Sequence, residues 1–366
     1  MKGSRKTQLI ESVMEVVRIV AGMAIAYAVA LIILVLISDD PVYIVKQFIL
    51  GPFSSPRRIG SIINLATPFI ICGLSMCFMY AVNKFNLIGE SIFMMAGCLA
   101  TFVGLKIGDS LPMVVMVPIL LIVGAVVGAA LAFIPAIMDR KLKANVVVVS
   151  LMLNSVIVEI AIWMLRYVLR DPKIAIIGSY NTPESMQLPQ ILGKFKIGSG
   201  IIIALILVAI ISIVFFKTSF GWKMRLVGDN PRFSRAVGFS TLGISFAAQL
   251  LGGALAGIGG VTEIMNSYKR FLWDASTGHG FDGLLVAVLA RKNPILVPIG
   301  ALFLAYIRIG ADVVNTSGDI PNEFVTVIQG IIILLVAAES FLSGTKKKLI
   351  YREVQREKEQ KEKEAK

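Results

Sequence analysis

Long apolar runs constrain this 366-residue chain more than any other feature. They are Ile19–Ile37, Ile59–Val82, Ile88–Val103, Leu111–Met138, Asn145–Leu169, Gly200–Phe216, Thr241–Met265, Phe281–Ala290, Pro294–Ala311 and Phe324–Leu342. All but the eighth approach or exceed the roughly 20 residues with which an α-helix crosses a hydrocarbon core. Inside lipid every backbone N–H and C=O must be satisfied within the protein, so such runs become helices. Only 16% of the residues are charged, against about 25% in soluble domains. The fold class that follows is an all-α integral membrane protein, a polytopic bundle of about ten transmembrane helices. The eighth run is too short to span alone, so it is broken, re-entrant or extended by the polar residues before it.

Charge sets the topology. Basic residues gather at Lys2, Arg5, Lys6 and Arg18, at Lys84, at Arg140, Lys141 and Lys143, between Lys217 and Arg235, at Arg291 and Lys292, and in the tail from Lys346. These loops alternate along the chain, and the positive-inside rule puts them, with both termini, in the cytoplasm. The net charge of +13 therefore belongs to membrane topology, not to nucleic-acid binding. Residues 1–18 read as a cytoplasmic N-terminus, 19–343 as the membrane domain and 344–366 as a charged cytoplasmic tail. The first apolar run ends in Ser38-Asp39-Asp40-Pro41 with no small-residue cleavage site, so it reads as a retained span.

Spans two to five and seven to ten are separated by one odd helix, so corresponding helices run in opposite directions, as in an inverted repeat. Span three opens on Asn86-Leu87-Ile88-Gly89-Glu90 and span eight on Gly280-Phe281-Asp282-Gly283, each an acid beside glycine at a helix start. Inverted repeats with broken helices aimed at a central site are characteristic of transporters. Polar groups inside spans are costly and mark pathways, which makes Asn86, Glu90, Asn154, Gln249 and Asp282 the candidate substrate pathway. Each has a plainer alternative: Glu90 as a capping acid within reach of Lys84, Asn154 and Gln249 as interhelical hydrogen bonders, and Asp282 as turn chemistry. Glu159 and Arg166 read as a local pair. The glycines at 252, 253, 257, 259 and 260 allow close helix approach or a hinge.

Residues 217–240 form a cytoplasmic segment with its own helix of barely two turns. Asp229 or Asn230 caps it, Pro231 takes its first position and Gly238 ends it. Phe233, Ala236 and Val237 share one face, while Arg232 and Arg235 share the other. A short amphipathic helix held outside the bilayer presents itself to a partner. Gly228, Asp229, Asn230, Pro231, Arg232, Phe233, Arg235, Ala236, Val237 and Gly238 are thus the candidate docking residues.

The chain has no Gly-x-x-x-x-Gly-Lys-Ser/Thr phosphate loop, one histidine, and no metal-ligand spacing. No nucleophile has a recognisable base partner. Cys72, Cys77 and Cys98 lie in apolar runs as packing residues. Neither a cofactor nor an enzymatic activity is expected.

Several segments together resemble the permease subunits of ABC importers of the ribose and nucleoside type. Lys217 to Phe239 is similar to that family's coupling loop, Gly280 to Pro294 to its C-terminal signature, and Asn145 with Ser150 to Asn154 to its fifth-span pattern. The resemblance runs from about Ile59 to Leu342 and is greatest to the nucleoside branch. It implies a bacterial plasma-membrane permease working with cytoplasmic ATPase subunits, a second, related permease in a heterodimer, and an external substrate-binding lipoprotein. That branch opens span three with Asn-Ile-Gly-x-Glu-Gly-Gln. Here Asn86 and Glu90 match, while Ile92 replaces the glutamine and bears on the choice of cargo. A permease for ribose or another simple sugar is the alternative. An ion-coupled transporter would instead need carboxylates such as Glu90, Glu159 and Glu339 to carry the ion.

Overall fold

The computed structural model describes residues 41–317, together with Ala28, Val35 and Gly330. The first and tenth expected spans therefore lie outside the described residues, apart from those three positions. Phe48–Val313 forms one compact unit, and the remaining described residues belong to a second.

Among the described residues the helices are α1 Pro41–Leu50, α2 Pro56–Ala81, α3 Gly89–Ile107, α4 Met113–Leu142, α5 Val146–Met164 and α6 Gly200–Lys217. They continue as α7 Ser219–Asp229, α8 Pro231–Ala236, α9 Thr241–Ser267, α10 His279–Leu289 and α11 Val297–Ser317. Among the described residues seven segments are long and apolar enough to cross a membrane, and His279–Leu289 is a shorter apolar helix. They correspond to expected spans two to seven and nine, with α10 as the short eighth. The chain is thus an all-α, multi-pass membrane protein. At about 1.5 Å per residue α2 is about 39 Å long, whereas α10 covers only about 16 Å.

The core is built on α9, which packs against α4, α3 and α2. Small residues make this approach close. A Cβ built on Gly257 would collide with the Gly124 carbonyl oxygen, and one on Gly128 with that of Gly253. Gly124 and Gly128 on α4 thus mesh with Gly253 and Gly257 on α9, four residues apart on each helix. In a bilayer, where no hydrophobic driving force acts between helices, such backbone contact is the main source of packing. Gly260 meets the Phe93 carbonyl of α3 in the same way. Close approach, the first of the two readings of these glycines, accounts for their density.

The segment between α5 and α6 is non-helical for the most part. It carries a two-stranded antiparallel ribbon, β1 Gln190–Leu192 with β2 Ile197–Gly198. Asp171 anchors this loop: its carboxylate accepts from Lys173 N at 3.0 Å and from Arg270 Nη1 at 3.0 Å. The Lys173 backbone N–H foremost, then Arg270, hold the carboxyl below the ordinary aspartate value, against partial desolvation. The folded pKa is depressed, so this anchor is fully present above the ordinary value of about 3.9 and weakens as pH falls through it. Limited proteolysis of residues 171–199 is expected to accelerate below about pH 4, and in Asp171→Asn to show no such step.

Candidate translocation site

The candidate site is where α3 and α10 begin. After α2 ends at Ala81, residues 84–88 leave helical structure. Irregular backbone inside a membrane protein needs partners from its neighbours, and here α5 supplies them. Ser150 Oγ accepts from Leu87 N at 3.0 Å, and Asn154 Oδ1, one turn on, accepts from Ser91 N at 2.8 Å. Asn86 Oδ1 accepts from Ile88 N at 3.2 Å, while its Nδ2 donates to Gln249 Oε1 of α9 at 3.1 Å. Asn86, Asn154 and Gln249 are all buried. Two amides and a hydroxyl thus satisfy N–H groups at and just before the start of α3, which have no partner within that helix.

Glu90, wholly buried, does the same for the other helix. Its Oε1 accepts from Ser276 Oγ at 2.8 Å, Thr277 Oγ1 at 3.0 Å and Gly278 N at 2.7 Å, and its Oε2 from Gly280 N at 2.7 Å. An anion at a helix N-terminus meets both the free N–H groups and the positive end of the helix dipole. The sequence places Glu90 at the start of its own helix and offers Lys84 as its partner. The structure instead aims it at the start of α10, and Lys84 pairs with Asp139 at 2.7 Å.

Glycine permits the junction. Gly278 adopts φ +77°, which turns the chain into α10. A side chain on Gly280 would overlap the backbone of Gly89 and Glu90. At its far end α10 stops at Leu289, near Asn83, whose Oδ1 lies 3.4 Å from Lys292 Nζ. The start of α10, where Glu90 meets it, lies about 16 Å along the helix from that end.

Asp282 lies in the first turn of α10, not in a loop, and is 2% exposed. Arg308 Nη2 of α11 donates to its Oδ1 at 2.6 Å. Arg308 and the buried Glu263 of α9 are the site residues that sequence reasoning missed. Each was visible as a lone charge within a span, the signal that had selected Glu90. Glu159 and Arg166 form no ion pair, so the local pair expected from sequence is absent: seven residues separate them, beyond the three- or four-residue spacing at which helical neighbours meet.

The segment after α6 holds two helices where the sequence suggested one. Thr218 Oγ1 caps α7 by accepting from Gly221 N at 3.2 Å, and Asn230 Oδ1 caps α8 by accepting from Phe233 N at 3.0 Å. Of the two expected caps Asn230 acts and Asp229 does not. Pro231 takes the first helical position, and Gly238 closes the turn at φ +88°. Phe233 is 52% exposed and Val237 50%, and Arg232, Arg235 and Ala236 are exposed beside them. Gly228, by contrast, is buried against the last turn of α2, and its carbonyl accepts from Asn83 Nδ2 at 2.7 Å. One end of the segment is thus seated on the bundle, and the other presents an apolar face rimmed by arginine.

The starts of α3 and α10 thus meet, with a short helix on one side of the junction, an arrangement from which transporter sites are built. The chain belongs to the family described as the branched-chain amino acid transport system permease component, whose model matches residues 58–337. It is the membrane permease component of an ABC transporter and not its ATPase. It is 30% identical over 304 residues to the guanosine ABC transporter permease protein NupP of Bacillus subtilis, covering 81% of this chain and 87% of that protein. It is 28% identical to the nucleoside ABC transporter permease protein NupB of Lactococcus lactis subsp. cremoris, covering 87% and 89%. It is also 29% identical to a glucose ABC transporter permease of Haloferax volcanii, covering 86% and 85%.

Proposed function

We propose that this chain is the permease subunit of an ATP-binding-cassette importer that moves nucleosides inward, with both of its termini in the cytoplasm. The observation that carries the reading is the meeting of α3 and α10 on the Glu90 carboxylate, which supports a translocation centre lined by Asn86, Glu90, Asn154, Gln249 and Asp282. Relatives named for guanosine and nucleosides favour that cargo. The glucose relative keeps a simple sugar as the second reading. The partners are a cytoplasmic ATPase, a second related permease and an external substrate-binding lipoprotein.

In this reading α8 is the coupling helix. Phe233, Ala236 and Val237 enter an apolar groove on the ATPase, and Arg232 and Arg235 steer the encounter. The complete complex in proteoliposomes, with ATP enclosed on the cytoplasmic side, is expected to accumulate a nucleoside and to stop when ATP is omitted. Accumulation without any ATPase, abolished by an uncoupler, would point to ion coupling instead.

Ala236→Glu tests the docking face. It places a carboxylate against an apolar groove, where an unpaired buried charge costs several kcal/mol. ATP-driven uptake is expected to fall at least about tenfold, the equivalent of 1.4 kcal/mol, while the purified chain keeps its thermal midpoint. Wild-type uptake by this variant would remove α8 from the coupling role.

A further inference from the structure

The residues that cap α3 and α10 are largely consumed by that work: both Glu90 oxygens, both Asn86 side-chain polar atoms and the Asn154 oxygen have partners. Three neighbours differ. Glu263 Oε2, His279 Nδ1 and Asp282 Oδ2 have no hydrogen-bond partner, although their residues are 4%, 9% and 2% exposed. His279 Nδ1 and Asp282 Oδ2 are 3.8 Å apart, too far for a hydrogen bond. Leaving a buried polar atom unpaired costs about 1–3 kcal/mol, more for a charged group, so three together mark a place where water or a bound ligand supplies the partners.

The three groups share one neighbourhood. Asp282 lies one turn on from His279 in α10, and Glu263 lies one turn on from Gly260 of α9, which meets the Phe93 carbonyl. Aromatic rings stand beside them: His279 lies edge-on to Phe93 with centroids 5.3 Å apart, and Phe93 stacks on Trp273 at 5.1 Å.

The chemistry selects the ligand. Asp282, ion-paired with Arg308, offers Oδ2 only as an acceptor, and Glu263 Oε2 is a second oxygen able to accept, so the site calls for adjacent donors. The same carboxylates repel phosphate, and Arg308 with the start of α10 opposes a cation. Neighbouring hydroxyls on a neutral ring meet these demands, with an aromatic wall for the ring's apolar face. We propose that Glu263, His279 and Asp282 form a binding site for the vicinal hydroxyls of a sugar ring, either a free sugar or the ribose of a nucleoside. This rests on the transport reading above and names the groups that read the cargo.

The chain has three tryptophans, so Trp163→Phe with Trp222→Phe leaves Trp273 as the reporter. The full chain in lipid nanodiscs is titrated with adenosine, 2′,3′-dideoxyadenosine, ribose and glucose. Adenosine is expected to change Trp273 emission saturably, and the dideoxy compound, which keeps the base, to bind at least about tenfold more weakly (1.4 kcal/mol). Glu263→Gln and His279→Ala, each with an unaltered ligand-free spectrum, are expected to erase that difference. An equal response to ribose or glucose supports a site that reads the sugar alone; a response to adenosine only supports one that also reads the base. Equal binding of adenosine and its dideoxy form overturns the proposal, as does silence toward adenosine and both sugars in a chain whose complex still imports nucleoside with ATP. A complex that imports none of them defeats the transport reading itself.

Discussion

Glu90→Gln is expected to destabilise the chain by about 1.5–3 kcal/mol, the contribution of one hydrogen bond to a buried charged group. All four groups around Glu90 donate: two hydroxyls and two backbone N–H groups. A glutamine keeps one oxygen but turns an NH2 toward donors, so at least one contact becomes donor against donor. Hydrogen bonds to a charged group contribute about 1.5–3 kcal/mol each, and the favourable charge at the α10 terminus goes as well. Glu90→Asp keeps the charge but shortens the reach, so its loss should be intermediate. The thermal midpoint of the purified chain, followed by circular dichroism, is expected to rank wild type above Glu90→Asp above Glu90→Gln. If the amide variant melts with the wild type, the carboxylate does not hold α10.

Gly257→Leu is expected to be more severe. The atom that a side chain would meet there is the Gly124 carbonyl oxygen, part of a helix backbone and unable to rotate away. The two helices would have to part along the length over which Gly124, Gly128, Gly253 and Gly257 mesh. Overpacking a well-filled core costs about 1–3 kcal/mol and occasionally more, and this seam lies at the limit because backbone faces backbone. Loss of the monodisperse peak in size-exclusion chromatography is the expected readout. Gly193→Leu is the control, since nothing lies within 4 Å of a Cβ there. Equal behaviour of the two variants would mean that the seam is not close-packed in the folded protein.

Spans two to nine were legible because membrane length and apolarity are local properties, and α8 was legible because Asn230, Pro231 and Gly238 are local punctuation. Partners were not. Glu90 stood out as an acid at a helix start, yet its partners Gly278 and Gly280 lie almost two hundred residues away. Only the packing of α3 against α10 brings them together. The same holds for Asp282 with Arg308, and for Ser150 with Leu87. The α7 helix escaped notice because Gly221 and the basic residues around it weaken both the helical and the apolar signals. Thr218 at its cap was the local clue.

Glu90 has one further consequence, for how the protein can move. Its four hydrogen bonds hang on a single side chain, so one rotation about its torsions disturbs all of them together. A junction built this way has no half-open setting: α3 and α10 stay joined and travel as one piece, or they separate at once. Motion of the joined pair must then arise where no single bond is decisive, as where Gly260 of α9 meets the Phe93 carbonyl of α3. The carboxylate works as a latch between α3 and α10.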